Sequence, residues 1–146
     1  PLEIRTVTDD RLAEAMELCG RVFSEFEAPD YPQEGVEAFF RYIEDANQVR
    51  AMTVFGAFDA DTLVGVLALQ GTHIALFFVE GSCHHRGIGR ALFQTFVAAA
   101  SPRHLSVHAA PHAVGFYRRL GFVAVTGEQH SPDGIRYVPM EYGFGL

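Results

Sequence analysis

The chain has 146 residues, the length of one domain with a buried core. Apolar residues make up 49% of it and charged residues 20%, which excludes an intrinsically disordered chain. The formal charge of −7 argues against nucleic acid as a partner, because phosphate binding needs a basic surface.

The apolar stretches are strand-sized, below the ~20 residues needed to cross a bilayer, so we expect no membrane partner. Cys19 and Cys83 lie far apart and no secretory leader is evident, which indicates free thiols in a reducing compartment. We therefore expect a single cytoplasmic domain over residues 1–146.

The first fifty residues predict a strand followed by two helices. Residues 2–6 form the strand, and apolar side chains then recur three and four residues apart, which predicts a helix over about 10–24. Pro29 prevents that helix from continuing, and a second helix is expected to begin at Pro32.

From residue 51 the pattern becomes that of strands. Residues 52–58 and 62–70 predict two strands joined by a turn, and 73–79 a third. The third strand is apolar on both faces, so we expect it in the middle of a sheet covered on both sides.

Helical and strand patterns alternate in the next segment. A helix is predicted over 87–100, a strand over 104–109, and a helix over 112–120. Gly121 follows the last helix and suits a left-handed C-cap.

The chain is expected to finish with a strand pair, 122–126 and 136–142, around a turn at 131–134. The predicted order is β-α-α-β-β-β-α-β-α-β-β. This order predicts an α/β fold in which helices cover both faces of a mixed sheet.

The stretch HHRGIGRAL, residues 84–92, places a glycine-rich turn between the central strand and a helix. Gly87 and Gly89 would let the backbone approach an anion at the helix N-terminus, with Arg86 and Arg90 beside it. The nucleotide-binding P-loop string is absent, and so is the third glycine of a dinucleotide fingerprint. On these residues alone, a turn that merely shapes the start of the helix stays open.

Two segments carry a resemblance to a known family. VEGSCHHRGIG, residues 79–89, resembles motif A of the GNAT superfamily of acyl-CoA-dependent N-acyltransferases, and AVGFYRRLGF, residues 113–122, resembles its motif B. The order, the separation and the predicted elements also match that family. The resemblance implies a GNAT fold with about seven strands in a central mixed sheet and about four flanking helices.

The resemblance implies acetyl-CoA as the cosubstrate, held by backbone amides of the motif A loop. A backbone N–H near Phe78 and Val79 would polarise the thioester carbonyl. The residues implied to contact the coenzyme are Phe78, Val79, His84, His85, Arg86, Gly87, Ile88, Gly89, Arg90, Ala91 and Phe116.

The sequence departs from the family pattern at four positions. The family's Gln or Arg falls on His84, its frequent first glycine on His85, and the proline after the central strand on Gly81. Ala110 replaces the Asn or Ser that often precedes the motif B helix, so a polar contact to the pantetheine arm is in doubt. The backbone cradle is retained.

Acetylation of an amine needs a deprotonated nucleophile and a protonated leaving thiolate. The resemblance assigns the second role to Tyr117, although a core aromatic is the alternative. Glu80 is the catalytic carboxylate we predict, while Glu27, Asp30 and His73 also qualify as the base, and ordered water can replace all of them.

The acceptor is predicted to bind at the aromatic and acidic segment that contains Phe26, Glu27, Asp30 and Tyr31. These side chains favour a small cationic amine. A polyamine, an amino acid, an aminoglycoside, a peptide N-terminus and lysine all stay open. The alternative function is a non-catalytic acyl-CoA sensor or protein-interaction module on the same fold.

We expect no metal. Cys83, His84 and His85 are consecutive, and consecutive side chains rarely converge on one ion. His104 and His108 lie on a predicted strand, so their spacing is not that of one helical face. The apolar C-terminal segment, residues 142–146, is a candidate homodimer contact.

Overall fold

The computed structural model describes residues 2–143, and the elements below refer to that range. The strands are β1 (Leu2–Thr6), β2 (Thr53–Asp59), β3 (Thr62–Gln70), β4 (His73–Val79), β5 (His104–Ala109), β6 (Val123–Ala124), β7 (Gln129–His130) and β8 (Arg136–Gly143). The helices are α1 (Leu12–Phe26), α2 (Gln33–Glu44), α3 (Ala46–Arg50), α4 (Ile88–Ala100) and α5 (Val114–Leu120).

The strands form a mixed sheet in the order β1-β2-β3-β4-β5-β8-β6, and β7 pairs with the far end of β8. Only β4 and β5 pair in parallel; the other described pairs are antiparallel. The expected mixed sheet is confirmed, and the apolar strand 73–79 lies in its interior.

Each face of the sheet has its own core. On one face α1 and α2 pack through aromatic side chains, and the rings of Phe23 and Phe39 stack with centroids 3.9 Å apart. On the other face, Leu92 and Phe96 of α4 pack with Tyr117 of α5 against the sheet. Burying each such side chain stabilises the fold by roughly 1.5–3 kcal/mol, so both helical layers are firmly held.

The parallel strands β4 and β5 separate soon after they meet. They pair only at His73↔Ser106 and Ile74↔Val107. The register between β3 and β4 shifts beside this point, because Ile74 pairs with Leu69 and Leu76 with Ala68, which leaves Ala75 as a bulge. The result is a fork in the sheet, open between the last residues of β4 and β5.

Several predicted boundaries were wrong by a few residues. Residues 9–11 form a 3-10 turn, so α1 begins at Leu12 and extends to Phe26, and Pro32 is the N-cap of α2 rather than its first residue. The helix predicted over 112–120 begins as a 3-10 turn at Pro111–Ala113. The strand predicted over 122–126 shrinks to two residues.

Two short elements were not predicted. Helix α3 follows Asp45, whose carboxylate accepts hydrogen bonds from the backbone N–H groups of Asn47 and Gln48. Strand β7 has two residues and pairs with the start of β8. Part of the candidate dimer contact, residues 144–146, lies outside the described residues.

Candidate active site

The loop between β4 and α4 reverses direction through two left-handed residues. Gly87 has a φ of 77° and His85 a φ of 66°. A left-handed backbone favours glycine, which gives a physical reason for the family's frequent glycine at the position of His85. The first N–H groups of the 13-residue helix α4 have no intrahelical partners, so the loop presents backbone donors to an anion.

A groove of about 480 Å³ runs between this loop and α5. Its floor is tight at Gly89, because a Cβ there would lie 3.1 Å from Cζ of Phe116. The groove is lined by Phe77, Val79, Cys83, His84, His85, Gly87, Ile88, Gly89, Arg90, His112, Ala113, Phe116, Arg119 and Leu120.

Three of the predicted coenzyme contacts lie off this groove. Phe78 faces the opposite core, packed with Phe39. Arg86 turns away, with one guanidinium nitrogen 3.6 Å from Sγ of Cys83 and another 3.9 Å from a carboxylate oxygen of Asp59. Ala91 follows in the helix, and its N–H donates to the carbonyl of Gly87.

His84 connects the loop to two neighbouring elements. Its Nε2 lies 2.8 Å from the carbonyl oxygen of Val79, a distance at which Nε2–H donates a hydrogen bond to that oxygen. Its ring also contacts the ring of Phe26 at the end of α1, with centroids 4.7 Å apart. His84 therefore joins the coenzyme loop, the end of the central strand and the start of the acceptor segment.

The free edge of β4 faces the fork. The N–H of Glu80 donates to the carbonyl of Val64 on β3. Successive N–H groups along a strand point to opposite sides, so the N–H of Phe78 points toward β3 and the N–H of Val79 points toward the fork. Of the two predicted donors, Val79 is therefore the one whose N–H is not hydrogen-bonded to a described strand.

A second cavity, of about 300 Å³, occupies the fork and is here called the acceptor chamber. It shares Phe77 and Ala113 with the coenzyme groove, so the two cavities adjoin. Its walls are Phe23, Glu27, Tyr31, Phe39, Ile74, Ala75, Phe77, Phe78, Val107, His108, Ala110, Ala113, Tyr117, Ser131, Ile135, Arg136 and Tyr137.

Close packing fixes one end of the chamber. A Cβ on Gly35 would lie 2.8 Å from Cγ1 of Ile135, and one on Gly134 would lie 2.6 Å from Cγ of Pro32. The turn before β8 therefore rests directly on the start of α2, with the backbone of Gly134 left-handed at a φ of 84°.

Burial raises the pKa of three groups in the chamber. Desolvation raises the pKa of Glu27 to about 7. Burial, then the charge of Glu27, raises the pKa of Tyr117 above its usual range, and the same two causes help raise the pKa of Tyr31 to about 12. Both tyrosines therefore carry their protons at neutral pH, beside a carboxyl group that titrates there.

The other predicted acceptor and catalytic residues lie elsewhere. Glu80 forms an ion pair with Arg21 of α1 and is on the wall of neither cavity. Phe26 is exposed and its ring contacts the ring of His84. Asp30 is also exposed, next in the chain to Tyr31 of the chamber wall. The structure brings the predicted residues Glu27, Tyr31 and Tyr117 to one cavity, but not Glu80.

Four polar residues of the chamber were not predicted as site residues, and one of them is Ser131 in the turn before β8. Arg136 and Tyr137 begin β8, and His108 lies near the end of β5. The alternation of buried and more open residues along β5 is a signal for His108, because it puts His104, Ser106 and His108 on one face.

One further cavity contains none of the predicted residues. A cavity of about 790 Å³ lies among α1, α2 and α3, and none of the predicted site residues lines it.

Within residues 2–143, no three His, Cys, Asp or Glu side chains cluster so as to hold a metal ion. Over the same range, no helix has the length and apolarity needed to cross a membrane.

Comparison with known proteins decides the family. The sequence profile described as Acetyltransferase (GNAT) domain matches residues 27–144, a range that includes both sequence motifs, 79–89 and 113–122. The chain belongs to the GNAT acetyltransferase family.

This GNAT domain is 33% identical over 76 residues to the peptidyl-lysine N-acetyltransferase YjaB of Salmonella typhimurium, a match over 51% of this chain and 52% of YjaB. The chain thus aligns with about half the length of that curated relative.

Solved structures of other GNAT proteins share the fold. A GCN5-related N-acetyltransferase from Rhodopseudomonas palustris superposes with a TM-score of 0.81 at 20% identity, over 97% of this chain and 95% of that one. PaiA N-acetyltransferase from Thermoplasma acidophilum, solved with coenzyme A, gives 0.76 at 17% identity over 99% of both chains. Apo YjaB from Escherichia coli gives 0.66 at 23% identity over 97% and 95%.

Proposed function

We propose that this chain transfers an acetyl group from acetyl-CoA to the primary amine of a small cationic acceptor, by direct attack in a ternary complex. The observation that carries the proposal is the junction of the two cavities at Phe77, with the Tyr117 side chain in the chamber wall. A thioester that enters from the groove and an amine that enters from the chamber meet at the fork of β4 and β5.

The groove fits a coenzyme of this class. Left-handed residues and the N-terminus of α4 supply backbone donors for a pyrophosphate, and Arg90 and Arg119 add positive charge to the groove walls. Gly89 leaves room where any side chain would press on Phe116. The Val79 N–H at the fork is placed to polarise the thioester carbonyl.

Glu27 supports a cationic acceptor. A half-buried carboxyl whose pKa is about 7 becomes ionised when an ammonium group binds beside it, because the opposite charge favours the carboxylate. The surrounding rings of Phe23, Tyr31 and Phe39 suit the organic body of the amine. Glu27 then binds the ammonium, and Tyr117 protonates the departing thiolate.

A lysine side chain is the second candidate acceptor. The relative YjaB of Salmonella typhimurium is named as a peptidyl-lysine N-acetyltransferase. A chamber of about 300 Å³ with aromatic walls also accommodates an aliphatic stem that ends in an ammonium group.

The test is an acetyl-CoA-dependent thiol-release assay with a panel of phenethylamine, spermidine and a lysine-containing peptide. We expect at least one amine to be consumed with matching formation of its N-acetyl product by mass spectrometry. If calorimetry shows coenzyme A binding while no amine is acetylated, the chain is an acyl-CoA sensor instead.

A further inference from the structure

The acceptor chamber contains a histidine with no role in the function proposed above. His108 lines the chamber wall on the α1 and α2 side of the sheet, one residue beyond the last pair that joins β5 to β4. The acceptor amine approaches from this side, whereas the coenzyme groove lies against α4 and α5. His108 is therefore on the side where the amine must lose its proton.

Neighbouring rings fix the orientation of His108. Its ring stacks on Tyr137, with centroids 4.3 Å apart and planes 20° apart. The ring of His73 meets it at 74° with centroids 4.9 Å apart, and Nδ1 of His73 lies 2.9 Å from Oγ of Ser106. Stacking holds the face of the imidazole and leaves both nitrogens at its free edge.

The ring nitrogens of His108 are available. Among residues 2–143, no group forms a hydrogen bond with either ring nitrogen of His108. The side chain is exposed to the cavity and is not part of the buried core. A nitrogen lone pair at this edge can accept a proton directly or through one water molecule.

Titration favours His108 as a base at neutral pH. Burial lowers the pKa of His108, and burial followed by the charge of His108 lowers the pKa of His73. Both rings are then neutral at pH 7, and the neutral form is lost as the pH falls through the lowered pKa. The titratable or charged groups that share the chamber or contact the ring are Glu27, Tyr31, His73, Tyr117, Arg136 and Tyr137.

Glu27 is less suited to remove the proton. A carboxylate paired with an ammonium group raises the pKa of the amine, so the pair holds the proton on nitrogen. Tyr31 and Tyr117 carry their protons at neutral pH, and the guanidinium of Arg136 has only donors, so none of these three side chains accepts the proton. Among the described chamber residues, His108 is left as the neutral acceptor.

We propose that His108 is the general base of the acceptor chamber and takes the proton from the acceptor ammonium held by Glu27. This role rests on the proposed acetyl transfer. The freed nitrogen lone pair forms the N–C bond to the thioester carbon, the C–S bond breaks, and Tyr117 gives its proton to the thiolate. The second proton of the attacking nitrogen returns to Tyr117, and His108 releases the first to water.

The test compares the pH dependence of kcat/KM for the parent, His108→Gln and the matched control His104→Gln. His104 lies on the same strand and the same face, paired with Glu141 outside the chamber. The acceptor is whichever of phenethylamine, spermidine and the lysine peptide the parent acetylates fastest. Coenzyme A dissociation constants and circular dichroism accompany each variant.

We expect kcat/KM of the parent to rise as Glu27 ionises and to level off above its pKa of about 7, and His104→Gln to follow it. His108→Gln should lose about 10²-fold in kcat/KM at pH 7, with unchanged coenzyme affinity. In a plot of log(kcat/KM) against pH, the curve for His108→Gln should rise with a slope of one up to the pKa of the free amine. The reason is that this variant reacts only with amine that is already deprotonated. A defect in folding alone would lower the whole curve without changing its shape.

A parent-like plateau in His108→Gln would overturn the role of His108 while leaving acetyl transfer intact. If the parent itself acetylates no amine of the panel, the proposed function fails, and the role of His108 fails with it. His73→Gln adds an independent check: a base oriented by His73 predicts a smaller loss, with the plateau retained.

Discussion

Tyr117 and Glu27 are the two residues on which the chemistry of the chamber most depends. Tyr117 is buried and Glu27 is half-buried, and the charge of Glu27 helps raise the pKa of Tyr117. In the proposed reaction the tyrosine keeps its proton until a thiolate forms beside it. The carboxyl group, with a pKa of about 7, is proposed to ionise when a cation binds.

Replacement of Tyr117 by phenylalanine should remove leaving-group protonation alone. We expect kcat to fall by ~10²–10⁴-fold while the dissociation constant of coenzyme A stays unchanged. Steady-state kinetics and calorimetry measure the two effects. Tyr142→Phe is the control, because Tyr142 packs on Phe93 and Phe122 behind the groove and should keep full activity. Full activity in Tyr117→Phe would show that another group protonates the thiolate.

Glu27→Gln should weaken acceptor binding more than it slows the chemical step. The amide keeps the shape of the side chain but cannot pair with an ammonium group. We expect KM for the amine to rise about tenfold with kcat much less affected, as for the loss of uniform binding. An unchanged KM would remove Glu27 from the acceptor site.

Glu27 also predicts how stability depends on pH. Its pKa is raised in the folded state, so the folded chain binds the proton more tightly and the free energy of unfolding falls as pH rises from about 4.5 to 7. Glu27→Gln removes this penalty. Its melting temperature should exceed that of the parent at about pH 8, and by much less at about pH 5. An equal difference at both pH values would contradict the raised pKa.

At the scale of elements, the coenzyme loop and the fork decide what the site can hold. The loop turns through Gly87 and His85 and opens α4 toward the groove. The fork exists because β4 bulges at Ala75 and leaves β5 after Ile74. Together they expose the Val79 N–H beside the junction of the two cavities.

Gly89→Val should impair this loop specifically. A Cβ at Gly89 meets the Phe116 ring, and the larger side chain also fills the floor of the groove. We expect the dissociation constant of coenzyme A to rise at least about tenfold, or ~1.4 kcal/mol. Gly115→Ala is the control, since a Cβ there meets only a guanidinium nitrogen at 3.5 Å. Unchanged affinity in a folded Gly89→Val chain would contradict the assignment of the groove.

The sequence predicted the strands better than the fork. Apolar runs and turn residues delimit β3 and β4 correctly, because a buried sheet strand leaves a strong local pattern. The bulge at Ala75 and the early separation of β4 from β5 depend on pairing between distant residues, which no local pattern records. The short helix α3 was missed although Asp45 is a good N-cap, because five residues carry too little periodicity.

The sequence reveals the motif residues of the candidate site more readily than the polar wall of the chamber. Motif residues such as Gly89 and Tyr117 are recognisable in one dimension, and the structure brings them to adjoining cavities. The polar wall of the chamber comes from segments far apart in the chain, including His108 on β5 and Arg136 on β8. Glu80 was chosen because it follows the central strand, but its pairing with Arg21 turns it to α1.

At the scale of the whole molecule, the sheet separates two layers and the fork joins them. The layer of α4 and α5 forms the coenzyme groove, and the layer of α1 and α2 supplies the acceptor side of the chamber. Two substrates can therefore occupy the molecule together, from opposite faces, with their reacting atoms at one opening. The proposed direct transfer, without an acetylated side chain, requires such an arrangement.

The most direct test of this account is the initial-rate pattern with acetyl-CoA and the amine varied against each other. Direct transfer at the fork requires both substrates to be bound at once, so the double-reciprocal lines should intersect. Parallel lines, with an acetyl group found on the enzyme after exposure to acetyl-CoA alone, would indicate a covalent intermediate and contradict the account.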